Sequence, residues 1–356
     1  MKLLDFYIGS MFLRCFLLVM SILAVFFSLI EFLSQLDDVG KGMYSLGDAL
    51  IFVIFTLPKC LYDLMPVSAM LGGAIALGLL ADHGELIAMQ AAGISVPRIC
   101  AAVLATAMLV VVVFGIMAET VIPEMEQLAR SSRAQALYGG TGIHLTRQGF
   151  WARRQNSYIH VHKIFREGAA AGVDIFEFDT EDRLKSYTHA LSANIRDNKQ
   201  WTLKGIIRKE YTERGLSIKK RATGTMESFL SLDQVAVIEL SPYSLSTPDL
   251  MDYIEALQES GQDADQYLLA LWRKISVPLT AGAMVLFSIS FVFGLNRRIS
   301  AGRRITMASL IGFALYFADQ VVMHTGLLLN LNPLITAMIP AVFISGLACW
   351  RLRILV

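Results

Sequence analysis

The 356-residue chain is 55 % hydrophobic and only 17 % charged, with a mean hydropathy of +0.54, which excludes an ordinary soluble globular protein and places it in the membrane class. A formal net charge of +1 and a pI near 7.7 give no electrostatic footprint for nucleic acid or for a polybasic anchor. All four cysteines, Cys15, Cys60, Cys100 and Cys349, fall in or beside apolar runs, so neither a disulfide framework nor a cysteine zinc site is offered.

The first apolar run, Met11 to Ile30, follows Lys2 and is long enough to be a retained first helix rather than a signal peptide. Four further runs are long enough to cross hydrocarbon: Leu64 to Ala81, Ile99 to Ala118, Ile275 to Leu295 and Ile305 to Met323. A shorter sixth covers Pro333 to Trp350. Ahead of the second run, Ala49 to Leu57 is also apolar, and Pro58 and Pro66 bracket a polar interruption with Lys59 and Asp63, so the spacing predicts a long, bent helix. The fold class expected is an α-helical membrane protein of six transmembrane helices in a three-plus-three arrangement, interrupted by an inserted domain.

Orientation comes from Lys and Arg in the short loops. Lys2, Arg98, Arg297, Arg298, Arg303, Arg304, Arg351 and Arg353 fall on one side, against Lys41 on the other. Both termini are therefore expected in the cytoplasm, and the insertion of about Ile122 to Lys274 outside it. The domain division expected is 1–122, 123–270 and 271–356.

Within the insertion, Pro123 to Leu137 reads as a helix ending at Gly139-Gly140. Thr247 as N-cap, Pro248 at the first position and apolar Leu250, Ile254 and Leu257 define another, stopped at Gly261. Between them the period changes to two, as Tyr158, His160 and His162 alternate with Ile159, Val161 and Lys163, and strand-like runs end at Asp197-Asn198 and Arg214-Gly215. Such short, turn-punctuated strands predict a β-sandwich or roll.

Chemical motifs are sparse. No G-x-x-x-x-G-K-[ST] loop, G-x-S-x-G elbow or H-E-x-x-H helix occurs, so the chain carries no P-loop and nothing points to an enzyme. His160 and His162 share a strand face, but with no neighbouring Cys or third His they read as solvated residues rather than a metal site. Glu31, Glu119 and Asp319 lie toward the outer helix ends, too far out for a midplane ion-coupling site.

Two groups stand out. Lys41, Lys59, Arg130, Arg133, Arg273 and Lys274 all fall near the outer interface, either as solvated helix faces, with Glu126 and Arg130 an i,i+4 pair, or as an anion-binding rim suited to phosphates. On the cytoplasmic side, Asp82 to Pro97 carries a short helix with Glu85 at its start, Leu86, Met89 and Gln90 on one face, and Gly93 and Pro97 as stops. It is either an interfacial helix or a coupling helix gripped by an ATPase partner.

Four segments together resemble the LptF/LptG permease family of the lipopolysaccharide exporter: Leu4-Asp5-Phe6-Tyr7-Ile8-Gly9, Glu85-Leu86 through Met89-Gln90-Ala91-Ala92-Gly93, Arg133 through Gly140, and Ser260-Gly261-Gln262-Asp263-Ala264. The resemblance implies a β-jellyroll for the outer domain, a partner permease LptF, an LptB ATPase dimer, LptC, and an LptA-type jellyroll that receives lipopolysaccharide. It implies no cofactor on this chain, with ATP and Mg on the partner ATPase. Met11 to Ile30 and Ile305 to Met323 inherit the flanks of lateral gates, and Lys41, Lys59, Arg130 and Arg133 become the residues expected at lipid A phosphates. Glu31, Asp37 and Asp38 stand where relatives place lysines, so the phosphate site is expected to shift or to use a bridging cation. The alternatives are another ABC-type permease, exporting lipoprotein or peptide, a membrane scaffold displaying a β domain, and an ion-coupled carrier.

Overall fold

The computed structural model describes residues 2–138, 143–146, 149–154, 156–164, 169–179, 183–196, 200–212, 215–227, 241–259, 263–294 and 301–355. Eight α-helices and seven strands are present among the described residues: α1 Lys2–Leu36, α2 Leu46–Asp82, α3 Glu85–Ala91, α4 Val96–Tyr138, β1 Ile143–Thr146, β2 Gly149–Arg154, β3 Ser157–Ile164, β4 Ala169–Phe178, β5 Leu184–Arg196, β6 Gln200–Thr212, β7 Gly215–Glu227, α5 Thr247–Glu259, α6 Asp265–Gly294, α7 Ala301–Leu328 and α8 Pro333–Leu355. Six of the helices, α1, α2, α4, α6, α7 and α8, are long and apolar enough to span a bilayer. They fall three before the sheet and three after it, as the hydropathy pattern predicts.

The chain divides into two compact units, one of residues 1–30, 57–123 and 245–356, the other of 31–56 and 124–244. In the first unit α2 and α6 are the buried helices, whereas α1, α4 and α7 leave most of their apolar surface exposed. The main cluster joins Ile8, Phe12 and Phe16 of α1, Leu64, Met65 and Leu77 of α2, Ile99 and Val103 of α4, and Val277, Val285 and Ile289 of α6. A second cluster sets Met70 of α2 against Met284 and Phe287 of α6 and Ile344 of α8. Lipid tails are as apolar as leucine, so helices in a bilayer gain from close backbone approach rather than from hiding oil from water. Gly72 supplies one such approach: a Cβ there would lie 2.7 Å from Phe16 Cα.

As the spacing predicts, one long helix covers this region: α2 runs for 37 residues through Pro58 and Pro66, with Asp63 inside it. The helix expected from Pro123, by contrast, is no separate element, because α4 passes through Pro123 and continues to Tyr138. Proline removes one amide donor but leaves the rest of the hydrogen-bond ladder, and the helical run that precedes each proline continues through it. The Gly139-Gly140 stop, the Gly261 stop, the Asp197-Asn198 turn, and Arg297 and Arg298 lie outside the described residues.

The second unit holds the sheet. Its strands pair in sequence order, each antiparallel to the next, from β1 to β7. Inward positions of β3 to β6 form one core of Ile159, Val161, Ala170, Val173, Ile175, Ala190, Ala193, Trp201, Leu203 and Ile206, and Trp201 is fully buried. Strand alternation thus gathers the apolar side chains on one face of the sheet. Arg214, expected at a turn, lies outside the described residues, but Gly215 opens β7.

Candidate functional site

The segment between α2 and α4 forms the short helix predicted for it. Gly84 enters in a left-handed conformation (φ 73°), and Gly93 leaves in another (φ 83°), which glycine adopts without strain. Glu85 opens α3, and the Tyr7 hydroxyl of α1 donates to its carboxylate at 2.9 Å. Nearby, Arg98 Nη2 of α4 lies 3.5 Å from Asp5 of α1. Both contacts tie the start of α1 to this loop. Leu86 and Met89 do not face outward as a groove-filling surface: they are 5 % and 9 % exposed and belong to the chain's own main core. Gln90 is half-buried. The exposed face is Ile87, Ala88, Ala91 and Ala92. A helix this short is held by tertiary burial of its apolar side, and the two most apolar positions at i and i+3 are spent on that.

Of the basic residues expected at the rim, the structure brings two together. Lys41 Nζ donates to Asp38 at 2.8 Å, and the Arg133 guanidinium donates to the other oxygen of the same carboxylate. Those two hydrogen bonds, Lys41 first and Arg133 second, hold the Asp38 carboxyl below its usual pKa. Arg133 also lies 5.4 Å from the Phe52 ring centroid. Asp38 is thus the anchor of two bases, not a replacement that empties the region of positive charge. Arg130 lies one turn from Arg133 on α4 but is directed at Glu126, 2.9 Å from Nη2. The expected i,i+4 pair is therefore present, and Glu126 is 2 % exposed. Lys59 belongs to the first unit, half-buried on α2.

Arg273 and Lys274 of α6 are structural joints. Arg273, 8 % exposed, sits 4.0 Å from Asp63 of α2 and 3.8 Å from Asp319 of α7. Lys274 Nζ donates to Glu119 of α4 at 3.1 Å and to the Leu245 carbonyl at 3.2 Å. Glu119 in turn accepts from the backbone N–H and hydroxyl of Thr247. Thr247 is consequently the first residue of α5 and not its cap. Ser246 is the cap: its hydroxyl accepts from the Asp249 N–H at 3.4 Å and donates to the Asp249 carboxylate at 2.6 Å. Leu250, Ile254 and Leu257 are buried, as the helix pattern predicts. Asp63, Glu119 and Asp319 could each be flagged in sequence as costly charges, but which base answers which acid depends on how α2, α4, α6 and α7 are arranged.

Six apolar helices, with α2, α4 and α7 each ion-paired to α6, a short helix between spans and an inserted antiparallel sheet define a polytopic membrane protein with a β domain. The family model for the lipopolysaccharide export system permease LptF/LptG matches residues 6–354. The chain is 34 % identical over 350 residues to the lipopolysaccharide export system permease protein LptG of Haemophilus influenzae, covering 98 % of both chains. It is 32 % identical over 351 residues to LptG of Escherichia coli K12, covering 98 % of this chain and 97 % of the relative. The chain belongs to the LptF/LptG family of lipopolysaccharide export permeases, a transport subunit of the inner membrane.

Proposed function

We propose that this chain is one of two permease subunits of an ATP-driven exporter that draws lipopolysaccharide from the inner membrane and passes it to a periplasmic line of β-jellyrolls. The observation that carries this reading is the family match over residues 6–354, which takes in both halves of the membrane unit and the inserted sheet. The named relatives are permease proteins of lipopolysaccharide export, and the similarity spans 98 % and 97 % of their lengths.

In this reading the other permease is LptF, an LptB dimer holds ATP and Mg, and LptC and an LptA-type jellyroll receive substrate beyond the membrane. The bias of basic residues toward one set of loops supports cytoplasmic termini and a periplasmic sheet. The α1 and α7 helices, with their large exposed apolar faces, flank the lateral gates through which a lipid enters. Work from ATP hydrolysis reaches the spans through α3, joined to α2 and α4 by only a few residues. Glu85, held by Tyr7, and half-buried Gln90 form its polar rim, Leu86 and Met89 root it in the core, and Ile87, Ala88 and Ala91 meet the ATPase.

The lipid A phosphates meet Lys41, Lys59, Arg130 and Arg133. An arriving phosphate competes with Asp38 for Lys41 and Arg133, because a guanidinium fork binds carboxylate and phosphate with the same geometry. The test is reconstitution of the full complex in proteoliposomes, following ATP-dependent release of radiolabelled lipopolysaccharide. Release that needs this chain and an added periplasmic acceptor is expected. Release of lipoprotein or peptide instead would overturn the cargo, and an undiminished yield after charge reversal at both Lys41 and Arg133 would overturn the phosphate contacts.

A further inference from the structure

On the face of the sheet opposite its apolar core, three strands bring ionisable side chains into one row. His160 of β3 is the register partner of Asp174 of β4, and Asp174 is the partner of His189 of β5. His162, two residues along β3, reaches the same carboxylate, with Nε2 2.7 Å from Asp174 Oδ2. The ligating atoms of His160, His162 and Asp174 all lie within 4.8 Å of one another. Along the chain the two histidines have no third ligand nearby; cross-strand register supplies Asp174.

The surroundings hold these groups in place. His189 Nδ1 lies 2.7 Å from Asp174 Oδ1, and the Tyr187 hydroxyl donates to that same oxygen at 2.8 Å. One carboxylate oxygen is thereby anchored, and Oδ2 is turned to His162. Trp151 stacks on His160 with ring centroids 4.4 Å apart and planes at 17°. Gly172 faces His162 in a left-handed conformation (φ 65°), where a Cβ would lie 2.9 Å from the His162 ring. A glycine there leaves space for an imidazole.

We propose that His160, His162 and Asp174 form a binding site for a zinc-class divalent cation, with water completing the coordination. Two imidazoles and one carboxylate suit a borderline ion, and tetrahedral zinc needs ligand atoms roughly 3.3–3.5 Å apart, given bonds of about 2.0–2.2 Å. Small side-chain rotations close the remaining gap. To bind the ion, His162 must present a bare Nε2 in place of its bond to Asp174 Oδ2: a neutral imidazole moves that proton to Nδ1 by exchange with solvent, and an imidazolium releases it. His189 and Tyr187 orient the carboxylate from behind, as outer partners of metal ligands do. The bound ion pins β3 to β4 at the middle of the sheet.

The full-length chain in detergent, stripped with a chelating resin and titrated with Zn2+ alone against a chromophoric competitor, tests the site. One zinc per chain at low-micromolar free metal is expected, lost in a His160→Gln, His162→Gln double variant and retained in His324→Gln. X-ray absorption at the zinc edge of the wild-type chain should show two imidazoles and a carboxylate oxygen, a readout that does not depend on the variant folding. His189→Gln should keep the stoichiometry and weaken affinity about 10- to 100-fold. No zinc bound by the wild-type chain, equal binding by the double variant, or a coordination shell without imidazole would each overturn the assignment.

Discussion

The helical unit and the sheet handle charge in opposite ways. Among the helices, Arg273 and Lys274 are enclosed by spans, and each is met by acids from other helices: Asp63 and Asp319 for the first, Glu119 for the second. In the sheet, the polar row of Asp174, His162 and His189 sits on one face, and the apolar core occupies the other. A strand alternates its side chains, so a sheet separates polar from apolar by register alone. A helix surrounded by helices has no second face to give away, and its polar groups must be answered in place.

The largest test of that contrast is Arg273→Met, which leaves Asp63 and Asp319 facing each other without their shared base. A loss of about 3–5 kcal/mol is expected, read as a fall in the thermal midpoint of the detergent-solubilised chain by size-exclusion chromatography. Adding Asp319→Leu should restore much of it; a double variant no better than the single would show that the helices need this arginine for something besides charge balance.

Helix approach gives a second, smaller test. Gly72→Val pushes a branched side chain against the Phe16 backbone, where the nearest atoms are main chain and cannot swing away. Overpacking of this kind costs about 1–3 kcal/mol. Cysteine crosslinking between α1 and α2 should slow in parallel, and unchanged crosslinking would mean that the two helices are not closely apposed at this level.

The sheet should respond to pH with a defined sign. Burial opposes ionisation of Asp174, but hydrogen bonds from His189, His162 and Tyr187 outweigh it and hold its pKa below the usual value. A carboxyl depressed in the folded state contributes stability that is present above its unfolded pKa of about 4 and lost as pH falls through the folded value. Hydrogen-exchange protection of β3 to β5, corrected for intrinsic rates, should therefore decline below about pH 4, and Asp174→Asn should flatten that decline. Persistence of the full pH dependence in the variant would assign it to another group.

The smallest stability effect is expected at α3. Ile87→Asp lies on an exposed face and should shift stability by no more than about 0.5 kcal/mol, yet it should reduce the ATPase retained on purification. Leu86→Asp, by contrast, buries a charge in the main core and should destabilise the chain itself. If Ile87→Asp keeps its ATPase and full transport, the coupling surface is elsewhere.

Hydropathy alone determined the six spans and their three-plus-three division, because a bilayer of fixed thickness demands long apolar helices and tolerates little else. The change of period from 3.6 to 2 likewise marked the sheet, and Gly93 marked the end of α3, whereas Pro97 falls in the first turn of α4 rather than stopping α3. What sequence could not settle was which side of an element faces inward when both sides are apolar, so Leu86 and Met89 read as a docking surface until burial placed them in the core. Nor could it pair distant charges. Asp38 looked like a lost base until Lys41 and Arg133 were found on it, and His160 and His162 lacked a third ligand until register set Asp174 beside them. Periodicity is a local property that each segment carries by itself, whereas ion pairs and cross-strand partners are made by residues far apart in the chain, and only the tertiary structure brings them within bonding distance.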